Sequence, residues 1–179
     1  MNEAAIHPDI DQIWAWLSGI PDPEIPVLSI SDLGIVRGVE WSAADPGLCL
    51  VTITPTYSGC PAVDVIADQI RSTLLRHGIP RVALRTQLAP AWTTDWMSDA
   101  GRTRLREYGI APPSDRGPAS ASPLFDLVQI GTPLAPTPVA CPHCGSTNTQ
   151  SLSDFGSTPC KSLHRCLSCL EPFDYFKAH

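Results

Sequence analysis

The sequence lacks the long hydrophobic run that a membrane helix requires. No apolar stretch in its 179 residues approaches the roughly 18 to 20 residues that span a bilayer. Residues 1–10 also lack the basic segment and the apolar segment that begin a secretory signal. These absences predict a cytoplasmic protein that does not associate with membranes.

An excess of positive charge is missing as well. Twelve Lys and Arg residues stand against 18 Asp and Glu, and the formal net charge is −6. Because surfaces that bind nucleic acid are basic, a nucleic acid is not an expected partner. The P-loop, G-x-G-x-x-G, G-x-S-x-G and paired-histidine zinc motifs are also absent, which argues against the nucleotide-binding and hydrolase classes that they define.

Cysteine and proline are plentiful, and both are clustered. Five of the seven cysteines fall within residues 141–179, and seven of the 19 prolines fall within residues 111–140. In a reducing compartment, clustered cysteines indicate metal ligands or reactive thiols rather than disulfides. The prolines indicate a linker over residues 111–138, in which only residues 124–130 alternate like a β-strand.

Residues 1–110 carry a mixed pattern of helices and strands. Apolar residues recur at helical spacing over residues 6–17, and again over residues 63–74 behind Pro61, a residue that suits the start of a helix. Strands are predicted over residues 33–41, 48–54 and 82–84, with Cys49 in the core, and a basic helix over residues 98–108. The order α-β-β-α-β predicts an α+β fold, a small two-layer α/β sandwich.

The C-terminal residues 139–179 contain two C-x-x-C pairs, which predict a metal site. Cys141 and Cys144 form the first pair and Cys166 and Cys169 the second, with 21 residues between the pairs. Four thiolates suit a tetrahedral zinc ion, and iron is the alternative, as a rubredoxin-like centre or a cluster. A module this short does not fold on apolar burial alone. We therefore expect a zinc-ribbon-like β module held by its metal.

Two features of this module depart from a symmetric ribbon. The first pair is followed by Gly145, whose backbone freedom suits a tight metal-binding turn, whereas Leu170 follows the second pair. Cys160 is a fifth cysteine, which could substitute as a metal ligand or be a free thiol. His143 and His164 lie close to the two cysteine pairs in the sequence and are alternative ligands. Each is interpreted as a surface residue of the ribbon.

A second candidate site lies in the first domain. Asp22 and Glu24 stand in an acidic loop rigidified by proline, and Cys60 follows a strand and directly precedes a predicted helix. The positive end of a helix dipole lowers the pKa of a nearby thiol. Cys60 is therefore a candidate functional thiol, and the two carboxylates are candidate co-ligands if the loops meet. A merely buried cysteine is the alternative interpretation.

Residues 22–27, 31–36 and 54–61 resemble the small domain of the SufT-like family of iron–sulfur assembly factors. The resemblance implies the fold of that domain. It also implies that Cys60 handles iron–sulfur species, with a transient cluster at this thiol, and that Asp22 and Glu24 form the acidic motif beside it.

Residues 92–98, 105–113 and 155–176 are similar to a narrower group, the PaaD family of the bacterial aerobic phenylacetate pathway. This resemblance implies an accessory component of the multicomponent monooxygenase that epoxidises the ring of phenylacetyl-CoA. The implied task is to mature or repair an iron–sulfur or iron centre, with the other epoxidase subunits and their iron–sulfur flavin reductase as partners. A homo-oligomer, a direct electron-transfer role and a zinc-ribbon adaptor stay open.

Overall fold

The structure is a computed structural model that describes residues 7–57, 59–113 and 138–178. These residues divide into two compact units, one ending at Tyr108 and one covering Gly109–Ala178. The predicted strand over residues 124–130 and most of the predicted linker lie outside the described residues. Within the described part of the chain, no helix combines the length and the apolar character needed to cross a membrane.

The first unit contains a three-stranded sheet with helices packed on it. Strand β1 (Val36–Trp41) pairs antiparallel with the central strand β2 (Cys49–Ile53), and β3 (Val82–Thr86) pairs parallel with the other edge of β2. This mixed arrangement confirms the predicted α+β class. The elements in chain order are α1 (Ile10–Leu17), β1 (Val36–Trp41), β2 (Cys49–Ile53), α2 (Ala62–Arg76), β3 (Val82–Thr86), a short 3-10 turn (Thr94–Trp96) and α3 (Asp99–Glu107).

The core of this unit lies between the sheet and the apolar faces of α1 and α2. Ile13 and Leu17 of α1 are fully buried, as are Ile70 and Leu74 of α2. Their spacing follows the helical period, which is why the sequence predicted both helices. Cys49 is also fully buried, as predicted for a core residue.

Strand β1 begins three residues later than predicted, because Gly34 turns the chain before it. Gly34 has a φ of +67°, and a Cβ atom there would lie 2.5 Å from the backbone oxygen of Trp96. Only glycine tolerates both the left-handed backbone and this close approach. The indole nitrogen of Trp92 donates a 2.8 Å hydrogen bond to the backbone oxygen of Leu33. This bond joins the turn to the segment that follows β3.

Two arginines of the basic helix α3 make contacts within the first unit. Ser98 caps the helix by accepting a 2.9 Å hydrogen bond from the backbone N–H of Gly101. Arg104 pairs with Asp32, and Arg102 donates a 2.8 Å bond to the oxygen of Thr94. These contacts fasten α3 to its own domain.

The second unit is a four-stranded sheet of β4 (Ile110–Ala111), β5 (Thr149–Ser153), β6 (Lys161–Cys166) and β7 (Pro172–Phe176), in the strand order β4-β7-β6-β5. Its first strand is β4 (Ile110–Ala111), which pairs parallel with β7, although the sequence assigned these two residues to the end of the first domain and the start of the linker. Ala111 is buried in one cluster with two of the cysteines and Phe173.

Candidate metal centre and candidate thiol site

The first C-x-x-C pair of the second unit sits in a tight turn. The backbone N–H of Gly145 donates a 2.9 Å hydrogen bond to the oxygen of Cys141, and Gly145 has a φ of +74°. This left-handed residue reverses the chain so that Cys141 and Cys144 point toward the same place.

The second pair adopts a similar turn without glycine. Leu170 has a φ of +68°, close to that of Gly145, and it has the one positive φ among the described non-glycine residues. The backbone N–H groups of Ser168 and Cys169 both lie 3.4 Å from the sulfur of Cys166 and donate to it. The substitution of leucine for glycine therefore leaves the metal-binding turn intact and adds backbone strain to it.

The two turns bring the four cysteine sulfurs together. The sulfurs of Cys141 and Cys169 are 3.8 Å apart, those of Cys144 and Cys166 are 3.6 Å apart, and all four lie within 4.8 Å of one another. A tetrahedral zinc ion with Zn–S bonds of about 2.3 Å places its sulfurs about 3.8 Å apart. The four sulfurs thus fit a tetrahedral metal ion, as the spacing predicted.

Two cysteines of this cluster have pKa values shifted in opposite directions. Backbone hydrogen bonds, chiefly from the N–H of Cys169, lower the pKa of Cys166 to about 6. The N–H of Glu171 also favours the Cys169 thiolate, but burial and the neighbouring sulfurs outweigh it and raise the pKa of Cys169 to about 12. Binding of a metal ion to four thiolates must therefore release protons, and metal affinity rises with pH.

Cys160 and the two histidines stand outside the four-sulfur group. The buried sulfur of Cys160 lies 3.0 Å from the hydroxyl of Thr158. His143 is exposed, in agreement with the prediction, whereas His164 is buried. The prediction that His164 is a surface residue was wrong: its ring stacks on Phe173, and burial lowers its pKa.

Asp22 and Glu24 lie in a loop that is closed by hydrogen bonds. Asp22 is buried, and its Oδ1 accepts hydrogen bonds from the backbone N–H groups of Glu24, at 2.9 Å, and Ile25, at 2.8 Å. Glu24 is partly exposed. The two carboxylates of the predicted acidic motif thus have different surroundings.

Cys60 lies two residues before α2 and is half-buried. Burial raises the pKa of the Cys60 thiol; the backbone N–H of Ala62 and the side chain of Tyr57 favour the thiolate, but the charges of Glu24 and Asp22 oppose it. The prediction of a lowered pKa was wrong, because burial and two nearby carboxylates outweigh the helix terminus. At neutral pH this thiol keeps its proton.

Among the described residues, Cys60, Asp22 and Glu24 do not gather into one compact set of ligand atoms. The charges of Asp22 and Glu24 act on Cys60. Within residues 7–57, 59–113 and 138–178, however, the one group of three or more metal-ligating side chains gathered within 4.8 Å is the four-cysteine set. Sequence reasoning missed the effect of the Tyr57 side chain, which favours the Cys60 thiolate and so opposes the rise of its pKa, although Tyr57 belongs to the same short segment.

An apolar cavity of about 390 Å³ borders the segment that leads to Cys60. Its lining includes Thr54, Tyr57, Leu88 and Trp92. Residues 54–57, which precede Cys60 in the sequence, therefore form part of the wall of an open cavity.

Fold and site together define the class of this protein: an α+β domain of the iron–sulfur assembly type joined to a four-cysteine ribbon. The family model described as "Iron-sulfur cluster assembly protein" matches residues 10–83, and the one described as "PaaD zinc beta ribbon domain" matches residues 128–177. Over 170 residues, 95% of this chain and 93% of the relative, the sequence is 49% identical to an Escherichia coli protein named as a putative subunit of 1,2-phenylacetyl-CoA epoxidase. The chain belongs to the PaaD family.

Further relatives match part of the chain. A protein of Porphyromonas gingivalis named "Fe-S protein maturation auxiliary factor" is 33% identical over 106 residues, which is 59% of this chain and 97% of the relative. The crystal structure of a domain of unknown function, DUF59, from Bacillus anthracis matches 54% of this chain and 90% of its own, with 23% identity and a TM-score of 0.49.

Proposed function

We propose that this chain is a non-catalytic accessory factor that matures or repairs an iron–sulfur or iron centre of a phenylacetyl-CoA 1,2-epoxidase system. The observation that carries the proposal is the joining of an iron–sulfur assembly-type domain to a four-cysteine ribbon in one chain. Relatives named as maturation factors match the first unit, and the relative named as an epoxidase subunit matches nearly the whole chain. The expected partners are the other subunits of that system, including its iron–sulfur flavin reductase.

In this proposal, Cys60 holds iron or an iron–sulfur species transiently. Its surroundings suit temporary binding, since the thiol is half-buried, protonated and close to two negative charges that attract a cation. One cysteine supplies one of the four ligands that a common cluster requires. The remaining ligands would come from the client protein or from a second copy of this chain in a homo-oligomer.

The ribbon, in the same proposal, carries zinc held by Cys141, Cys144, Cys166 and Cys169 and serves as a docking module. The sulfur spacing supports a tetrahedral ion, and a closed set of four thiolates is typical of structural zinc. Iron at the same position would instead support a direct redox role. Elemental analysis of the purified protein separates the two, because zinc-only protein is colourless and a four-thiolate iron centre absorbs visible light.

The test of the accessory role is iron occupancy of the client proteins in cells. We expect Cys60→Ser to lower the iron and acid-labile sulfide content of the co-expressed flavin reductase, or the iron content of the epoxidase. Cys160→Ser is the matched control, since it removes a cysteine that lies outside both candidate sites. Normal metal content in all client proteins of the Cys60→Ser strain would refute the proposal.

A further inference from the structure

The sheet of the first unit has a row of three register partners on the face turned away from the core. Gly38 of β1 pairs with Thr52 of β2, and Thr52 pairs with Arg85 of β3. Val51 and Ile53, the neighbours of Thr52, are buried in the core. Because successive side chains of a strand point to opposite faces, Thr52 points away from the core, and Arg85 shares that face with it.

Arg85 is held in place on this face by the buried hydroxyl of Thr52. Its Nε and Nη2 atoms donate hydrogen bonds of 3.2 Å and 2.9 Å to Thr52 Oγ1, and Nη2 lies 3.6 Å from a carboxylate oxygen of Glu40. A guanidinium carries five N–H donors, more than these contacts use. The side chain of Arg85 is also 58% exposed, so a partner in solution can reach it.

A second arginine, Arg37, reaches the same place through a β-bulge. The register between β1 and β2 shifts between Val36 and Gly38, so that Arg37 is the extra residue of β1. A bulge of this kind redirects a side chain. The Cζ atom of Arg37 lies 3.5 Å from the centre of the Trp96 ring. This cation–π contact orients the guanidinium through its face, whereas its N–H donors lie along its edge.

Both arginines line one cavity of about 260 Å³, and Gly38 and Gln87 form part of its wall. The φ of Gly38 lies outside the left-handed region, and a Cβ atom added there would lie 4.0 Å from the Cβ of Thr52, a normal contact distance. The backbone therefore does not require glycine at this position. Glycine instead provides space, because a larger side chain would project into the cavity.

From this arrangement we propose that the cavity is an interaction site for an acidic side chain, Asp or Glu, of a partner protein. Guanidinium groups bind carboxylates through paired hydrogen bonds. Of the described residues that line the cavity, Arg37, Arg85 and Glu40 are charged, which leaves a net charge of +1 in a chain whose net charge is −6. One carboxylate balances that charge, whereas a doubly charged phosphate leaves an unbalanced negative charge.

Glu40 acts in this site as an internal competitor for Arg85. Its carboxylate lies beside the guanidinium that the partner's carboxylate must reach, and a like charge at short range disfavours the incoming one. Both arginines are already oriented, so binding costs less side-chain entropy than it does for unrestrained arginines. The contact contributes mainly to the choice and the orientation of the partner.

The test is an NMR titration of the full-length protein, with the ribbon saturated with zinc, at low ionic strength. The probes are two peptides, acetyl-Gly-Glu-Gly-amide and acetyl-Gly-Gln-Gly-amide, and the signals followed are the Nε–H groups of the arginines. We expect the Glu peptide to shift the signals of Arg37 and Arg85 and to bind at least tenfold more tightly than the Gln peptide. Equal affinity for the two peptides would overturn the proposal.

Substitutions of the two arginines locate the site. Arg37→Gln and Arg85→Gln should each weaken binding of the Glu peptide at least threefold. Arg81→Gln is the matched control, since Arg81 is a half-exposed arginine that pairs with Asp45 and does not line the cavity; it should leave the affinity unchanged. If Arg81→Gln weakens binding as much as the other two, the attraction is not specific to this cavity and the proposal is wrong.

Two further variants change the cavity without removing an arginine. Gly38→Val should fill it and weaken binding of the Glu peptide at least fivefold, with an unchanged circular dichroism spectrum, whereas Glu40→Gln should strengthen binding about two- to threefold. A folded Gly38→Val protein that binds as well as the unsubstituted one would contradict the proposed location. Tighter binding of inorganic phosphate than of the Glu peptide would overturn the assignment to an acidic side chain.

Discussion

The backbone strain at Leu170 can be removed by a substitution, which should strengthen zinc binding at the metal centre. It adopts a φ of +68° at the end of the second metal-binding turn, where the equivalent residue of the first turn is Gly145. Its side chain is 59% exposed, so replacing it removes little packing. We predict that Leu170→Gly raises the affinity of the ribbon for zinc.

The magnitude follows from two opposing contributions. A left-handed backbone costs a residue with a Cβ atom roughly 1–2 kcal/mol. Glycine recovers that strain, but it loses about 0.5–1 kcal/mol more conformational entropy on folding than a residue such as alanine. The net gain is about 0.5–1 kcal/mol, which corresponds to a two- to fivefold rise in zinc affinity if the ribbon folds around the metal.

Competition with a chromophoric chelator at fixed pH measures this change in the full-length protein. Leu170→Ala is the control for loss of the side chain, because it keeps the strain and should bind zinc as the unsubstituted protein does. Gly145→Ala is the reverse test: no atom lies within 4 Å of the added Cβ, so strain alone should weaken binding about fivefold. A Leu170→Gly variant that binds no more tightly than Leu170→Ala would refute the reasoning.

Three further predictions concern residues that stabilise one of the two units from within, Asp32 and Gly34 in the first and Ala111 in the second. Asp32→Asn should lower the free energy of unfolding by about 1–3 kcal/mol at pH 7, measured by urea denaturation. Burial opposes the charge of Asp32, but hydrogen bonds from Ser29 and Ser98 and the Arg104 charge hold its pKa below the ordinary value of an aspartate. The difference in stability should therefore shrink as the pH falls through the folded-state pKa. Gly34→Ala should cost about 2–4 kcal/mol in the same assay, because it combines left-handed strain with overpacking. Ala111→Glu should weaken zinc retention at least tenfold in a chelator assay, since it buries a charge beside the cysteine cluster. Unchanged stability or retention in any of the three would contradict the contact concerned.

Local sequence patterns were sufficient where local chemistry decides the structure. The helical spacing of Ile13 and Leu17 predicted α1, and the paired C-x-x-C spacing predicted four sulfurs around one point. The helix and each C-x-x-C turn depend on residues only a few positions apart, so periodicity and turn chemistry carry the information. That the two pairs meet, although 21 residues separate them, follows from the four ligands that one tetrahedral ion requires.

Contacts distant in sequence explain the features that were not predicted. The late start of β1 depends on the approach of Gly34 to Trp96, more than 60 residues away. Strand β4 pairs with β7 across a similar separation. The pKa of Cys60 was predicted in the wrong direction because a helix terminus is visible in the sequence, whereas burial and the charge of Glu24 are properties of the folded chain.

Anaerobic iron and acid-labile sulfide content after reconstitution tests the central claim most directly. Protein with its ribbon saturated with zinc is incubated with Fe²⁺ and sulfide, desalted and analysed, alongside Cys60→Ser and Cys160→Ser. The account predicts that the unsubstituted protein and Cys160→Ser retain iron, that Cys60→Ser retains at most a tenth as much, and that zinc content is equal in all three. Equal iron in Cys60→Ser and the unsubstituted protein would contradict it.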